Sequence, residues 1–166
     1  MQSPGGFHRA GNRVIWSEHS ETMRVLELMK THVVKTTPDS TLAEAVDLMD
    51  LYQAGTLPVV DPQGRLCGMI SEGDVMRALR LQGLSMTDAE KLQQRIPLAA
   101  GAAMDRVGEH MSQPALSVSE EADIREAASL LLSQGLKRLP VTREDGQVVG
   151  VLTRLDVCEA IFEGNL

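Results

Sequence analysis

The chain contains one pattern twice. Shifted by 82 positions, residues 25–79 lie on residues 107–161 without a gap. Leu57-Pro58-Val59 falls on Leu139-Pro140-Val141, Gly64 on Gly146, Gly68 on Gly150, and Asp74-Val75 on Asp156-Val157. Where letters differ the chemistry is often kept, as with Met69-Ile70-Ser71 on Val151-Leu152-Thr153. A repeat of this length is a supersecondary unit larger than a solenoid repeat, and two copies predict a pseudo-symmetric module. A site built by one copy then has a counterpart in the other.

Each copy shows the same order of signals. A short helical segment (25–29; 107–111) leads into an extended stretch (33–37; 115–119). A helix follows, with an N-cap and a reciprocating acid at Thr41-x-x-Glu44 and at Asp123-x-x-Glu126. Its apolar face in the first copy reads Leu42, Ala45, Val46, Met49 and Tyr52, with Gly55 and Gly135 near the two helix ends. Two short apolar runs around a turn predict a hairpin at 56–70 and another at 138–152, and a last helix starts near Glu72 and Arg154. The predicted class is α/β (α+β). Residues 1–22 form an N-terminal extension with Val14-Ile15-Trp16 as a docking patch. Residues 23–80 and 107–166 are the two repeats, and 81–106 is an insertion with a capped helix at 85–95.

Composition removes several function classes. The formal net charge is −7, and the aromatic residues are Phe7, Trp16, Tyr52 and Phe162. A nucleic-acid binder normally carries a basic face or an aromatic stacking surface, so nucleic acid is not expected as a partner. No apolar run is long enough to span a membrane, and residues 1–21 lack the apolar centre of a signal peptide. A cytoplasmic protein is expected, with Cys67 and Cys158 as buried, unpaired thiols. The four histidines are dispersed without metal-ligand spacing, and no nucleophile elbow or phosphate-loop motif occurs. Neither a catalytic role nor a metal site is expected.

The sharpest chemical feature is Gly68-Met69-Ile70-Ser71-Glu72-Gly73-Asp74, matched by Gly150-Val151-Leu152-Thr153-Arg154-Leu155-Asp156. In both, a hydroxyl stands at a strand-to-helix junction and a carboxylate in the first turn of the helix. A carboxylate accepts hydrogen bonds from the two hydroxyls of a ribose, and a helix N-terminus favours a nearby phosphate. The same residues also serve as plain N-caps with first-turn acids. Both readings stay open at this level.

The ordered duplication resembles the cystathionine-β-synthase (CBS) domain pair, or Bateman module, over residues 25–79 and 107–161. That resemblance implies two small mixed units packed sheet to sheet, with two clefts that take AMP, ADP, ATP or a related adenosyl compound as a regulatory ligand. It implies ribose binding by Ser71 with Asp74 and by Thr153 with Asp156. Val34, Thr36, Thr56, Leu57, Val59, Leu116, Val118, Leu139 and Val141 would line the clefts around the adenine. Lys137, Arg138 and Arg154 would meet phosphates, making the second copy's cleft the stronger anion site. The resemblance further implies a homodimer that signals to a regulated protein. The rival readings are a nucleotide-independent assembly module and a detached regulatory subunit of an enzyme acting in trans.

Overall fold

The computed structural model describes residues 23–79, 93 and 100–163. The first copy contains α1 (Val25–Leu28), α2 (Leu42–Leu51), β1 (Thr56–Val60), β2 (Leu66–Ser71) and α3 (Glu72–Ala78). The second contains α4 (Val107–His110), β3 (Val118–Ser119), α5 (Ile124–Ser133), β4 (Arg138–Thr142), β5 (Val148–Thr153) and α6 (Arg154–Phe162). The docking patch at Val14-Ile15-Trp16 lies outside the described residues, as does the helix expected at 85–95 apart from Gln93.

The two hairpins are built alike. β1 pairs antiparallel with β2 from Thr56↔Ser71, and β4 with β5 from Arg138↔Thr153. Their turns pass through Gly64 (φ 79°) and Gly146 (φ 84°), a left-handed conformation that glycine adopts without steric cost. β3 adds to β4 in parallel through Val118↔Val141, and a single parallel bridge, Thr36↔Val59, does the same in the first copy. The extended stretches are thus shorter as strands than their sequences predict.

Helix caps follow the sequence with two corrections. Thr41 and Glu44 form the expected reciprocal capping box. At α5, Asp123 accepts from the Arg125 amide while the Arg125 guanidinium takes the same carboxylate, so Asp123 caps without a return bond from Glu126. Gly55 does not end α2. The left-handed residue there is Gln53 (φ 50°), the repeat partner of Gly135 (φ 64°), and its side-chain amide donates to the Asp50 carbonyl at 2.7 Å. On α2 only Leu42, Ala45 and Met49 are buried, whereas Val46 and Tyr52 are exposed. Cys67 is half-buried and Cys158 is exposed, so neither thiol is fully buried as expected.

The halves are knitted by exchange of their leading segments. Val25 of α1 is fully buried with Val118, Ile124, Leu139 and Leu152, all from the second copy. Val107 of α4 is fully buried with Leu42, Leu57 and Ile70 of the first. The backbone follows the same rule: Lys30 exchanges two hydrogen bonds with Val151, and Ser112 two with Met69. These exchanged segments explain the matched glycines at the head of each motif. A Cβ on Gly68 would lie 2.7 Å from Met111 Sδ and 3.0 Å from the Ser112 carbonyl. A Cβ on Gly150 would lie 2.4 Å from Met29 Sδ and 3.2 Å from the Lys30 carbonyl. On the pseudo-two-fold axis Arg65 pairs with Gln147, its own repeat partner, as the Leu66 amide donates to Gly146 and the Val148 amide to Gly64.

One core position is mismatched. Thr36 is 4% exposed and its hydroxyl has no hydrogen-bond partner among the described residues, while the equivalent residue, Val118, packs in the second core. An unsatisfied buried hydroxyl costs about 1–3 kcal/mol, and valine has nearly the same shape. Thr36→Val is therefore expected to raise the melting temperature by about 2–4 °C, near 1 kcal/mol. Calorimetric melting of the two proteins checks this, and a lower value for the variant would mean that the hydroxyl has an unseen partner.

Candidate functional site

Strand alternation and capping together build the two hydroxyl–carboxylate pairs. β2 ends at Ser71 and β5 at Thr153, and each becomes the N-cap of the helix that follows. Asp74 Oδ2 accepts from the Ser71 amide (2.8 Å) and hydroxyl (2.6 Å), while the Asp74 amide donates back to Ser71 Oγ (3.2 Å). Asp156 Oδ2 accepts from the Thr153 amide (2.8 Å) and hydroxyl (2.7 Å) in the same way. Both carboxylates are buried, at 4% and 3% exposure. The capping reading is therefore correct for one oxygen of each pair, which leaves Oδ1 alone available to anything outside the box.

Oδ1 is where the copies differ. At Asp156 it takes the Lys30 ammonium at 2.7 Å, delivered by the exchanged leading segment. At Asp74 it takes the Arg77 guanidinium from its own helix and the Ser112 hydroxyl at 3.3 Å from the exchanged segment. Burial alone pushes the Asp156 carboxyl up. The Lys30 ammonium and the Thr153 hydroxyl and amide outweigh it and hold the group below the usual carboxylate range. A carboxyl depressed in the folded state contributes stability that is present above its unfolded value, about 3.9, and is lost as pH falls through the lower folded value. Asp156→Asn should accordingly be less stable than the unmodified protein at pH 7. The gap should close as pH falls below about 4, which urea unfolding at a series of pH values measures; a constant gap would contradict the ion pair.

A cleft opens where the two sheets face one another. Its lining includes three repeat-equivalent pairs, Thr56 with Arg138, Pro58 with Pro140, and Met69 with Val151. The rest comes from the first copy: His32, Val33, Val34, Tyr52 and Ala54. The rings of His32 and Tyr52 stand 6.0 Å apart at a tilt of 47°. Arg138 is half-buried in this apolar wall and forms no ion pair with any described residue. An unpaired guanidinium beside apolar and aromatic side chains can receive an anion carried on a flat apolar group.

Of the residues singled out in the sequence, Val34, Thr56 and Arg138 meet in this cleft. Leu57, Val59, Leu139, Val141 and Val118 do not present side chains to it. They belong to the two cores at 0–3% exposure, because alternate residues of a strand face opposite ways and these face the helices. Leu116 is exposed. Arg154 is tied down, its guanidinium donating to the Leu136 (2.6 Å) and Leu131 (3.3 Å) carbonyls at the end of α5, where helix carbonyls need donors. Lys137 is exposed. The second copy's Arg138 thus serves a cleft lined mainly by the first. The exchange brings Lys30 to Asp156, and the cleft gathers His32 and Tyr52 from the first copy; no local signal in the sequence marks these three as site residues. The sequence also offers no metal-ligand spacing, yet Asp105, Glu109 and His110 gather within 4.8 Å, with His110 Nε2 already 3.0 Å from Asp105 Oδ2.

Comparison with known proteins decides the family. The CBS domain pattern matches residues 25–81 and again residues 107–163. The chain belongs to the CBS domain family. An uncharacterized protein of Methanocaldococcus jannaschii, MJ1426, is 26% identical over 159 residues, spanning 87% of this chain and 94% of that one. The chloroplastic CBS domain-containing protein CBSX2 of Arabidopsis thaliana is 30% identical over 145 residues, which span 80% of this chain and 59% of that protein. The crystal structure of CBSX2 in complex with AMP superposes with a TM-score of 0.67 at 26% identity, covering 86% of this chain and 98% of that one. The exchanged, pseudo-symmetric fold described above is therefore that of a tandem CBS pair. Among the described residues no helix is long and apolar enough to cross a membrane.

Proposed function

We propose that this CBS pair is a regulatory sensor of adenosine-type nucleotides rather than a catalyst. The observation that carries this reading is Arg138, a half-buried guanidinium without an ion-pair partner among the described residues, in an apolar cleft between the sheets. Val34, Thr56 and Pro58 offer the base a flat apolar wall, and His32 with Tyr52 supplies rings at its edge. The duplicated Ser71–Asp74 and Thr153–Asp156 pairs supply acceptors for ribose hydroxyls. The AMP bound by CBSX2 supports an adenosine ligand, carried over as a proposal.

The cleft encloses about 130 Å³, below the roughly 300 Å³ at which small-molecule sites usually begin. A nucleotide then enters by moving the exposed His32 and Tyr52 and by separating the sheets slightly. That movement is the signal: a ligand shifts the packing of the two copies by the difference in its affinity for the closed and open states. The readout is contact with a regulated protein, and a homodimer formed through the exposed apolar residues of the outer helices, such as Leu132, Leu155 and Phe162, transmits it.

A second reading, a nucleotide-independent assembly module, is favoured by one observation: each Oδ1 already holds a cationic side chain. Thermal unfolding with adenosine, AMP, ADP, ATP and their 2′-deoxy forms separates the two. A ligand at a hundred times its dissociation constant stabilises the folded state by about 2.7 kcal/mol. A rise for ribonucleotides that is reduced for deoxy forms supports the sensor, and no rise with any of them supports the assembly module.

A further inference from the structure

We infer that Lys30 is a specificity-determining residue that makes the Asp156 site accept a phosphorylated ligand and reject the uncharged nucleoside. This rests on the nucleotide reading above and assigns a residue to it.

The argument is one of charge balance. Asp156 is buried, and its single oxygen outside the capping box is neutralised by the Lys30 ammonium at 2.7 Å. A neutral ribose diol whose two hydroxyls both take this oxygen fills its two acceptor positions and displaces the ammonium. A nucleoside offers nothing in return, so the exchange separates a buried carboxylate from its counter-charge, which is unfavourable. A nucleotide carries an anion one sugar ring away from the diol. The diol binds Asp156, the ammonium turns to the phosphate, and every charge keeps a partner.

The structure is built for that turn. The Lys30 backbone is held by two hydrogen bonds to Val151, both 2.9 Å, while its side chain is 59% exposed. The anchor stays fixed and only the flexible stem moves, and a compact ammonium on such a stem suits exchange between partners. The first copy lacks the device. Ser112 stands at the position equivalent to Lys30, and the cation on Asp74 is Arg77, three residues along the same helix. A cation delivered by the other copy's leading segment is then a property of one site of the two, although both share the hydroxyl–carboxylate motif.

Titration calorimetry of the whole chain with AMP and with adenosine tests this on the unmodified protein, Lys30→Met and Lys30→Arg. The other site is unchanged in all three, so differences report on Asp156. Lys30→Met is expected to weaken AMP about tenfold or more at one site while adenosine binds as well as before or better, and Lys30→Arg should keep the preference for AMP. An AMP-to-adenosine ratio that is the same in Lys30→Met as in the unmodified protein would overturn the assignment while leaving the nucleotide reading standing. Failure of both ligands to bind the unmodified protein would overturn that reading itself, and this assignment with it.

Discussion

Gly150→Val is expected to lower the melting temperature by about 6–12 °C, near 3 kcal/mol, with little change in helix or strand content below the transition. The reason is contact between the two copies rather than conformation. The backbone at Gly150 is crossed by the exchanged segment, whose Met29 Sδ and Lys30 carbonyl would lie 2.4 and 3.2 Å from an added Cβ. The Lys30 carbonyl also accepts the Val151 amide, so the segment cannot withdraw without breaking the bridge that joins the halves. Met29 is the softer neighbour, being unbranched and adaptable. Gly150→Ala should therefore cost less in a Met29→Ala background than alone, a coupling that a double-mutant cycle measures. Independent, additive effects would mean that the close approach does not exist in solution.

Arg138→Ala is expected to weaken AMP binding by about tenfold to a hundredfold, since a charge-assisted hydrogen bond contributes roughly 1.5–3 kcal/mol. The melting temperature without ligand should hardly move, because Arg138 has no ion-pair partner to lose among the described residues. Lys137→Ala, one residue away but exposed, should change affinity by about fivefold at most. Calorimetric titration of the three proteins distinguishes them. Equal AMP affinities for Arg138→Ala and the unmodified protein would remove the guanidinium from the site and leave the cleft without its anion contact.

The two predictions come from different levels of the molecule. The glycine was visible in the sequence as a matched position, but its purpose was not. Gly68 and Gly150 coincide under the 82-residue shift, and nothing within one copy says that a methionine from the other copy lies against each. The family resemblance implies a phosphate-binding role for Arg138. The cleft it enters proved to be lined chiefly by the first copy, because the sheets face one another and Arg138 stands opposite Thr56 across the pseudo-axis. Arg154, which the resemblance names as well, is held by carbonyls at the end of α5. Its residue type suited a phosphate equally well, and only the position of a neighbouring helix end separates the two roles.

The amino-acid sequence by itself determined the duplication, the order of elements in each copy, the hairpin turns and the capped helix starts at Thr41, Ser71 and Thr153. All of these rest on interactions within a few residues: a hydroxyl reaching the third amide of its helix, a glycine turning at positive φ, apolar residues recurring at the period of a strand or helix. The tertiary structure alone decided that Val25 and Val107 each complete the core of the opposite copy, that Lys30 neutralises Asp156, and that Leu57, Val59, Leu139 and Val141 face helices instead of the cleft. Those facts depend on which surface meets which across separations of about a hundred residues, as with Lys30 and Asp156. Pairing at that range is set by the packing of whole faces, and local pattern carries no record of it.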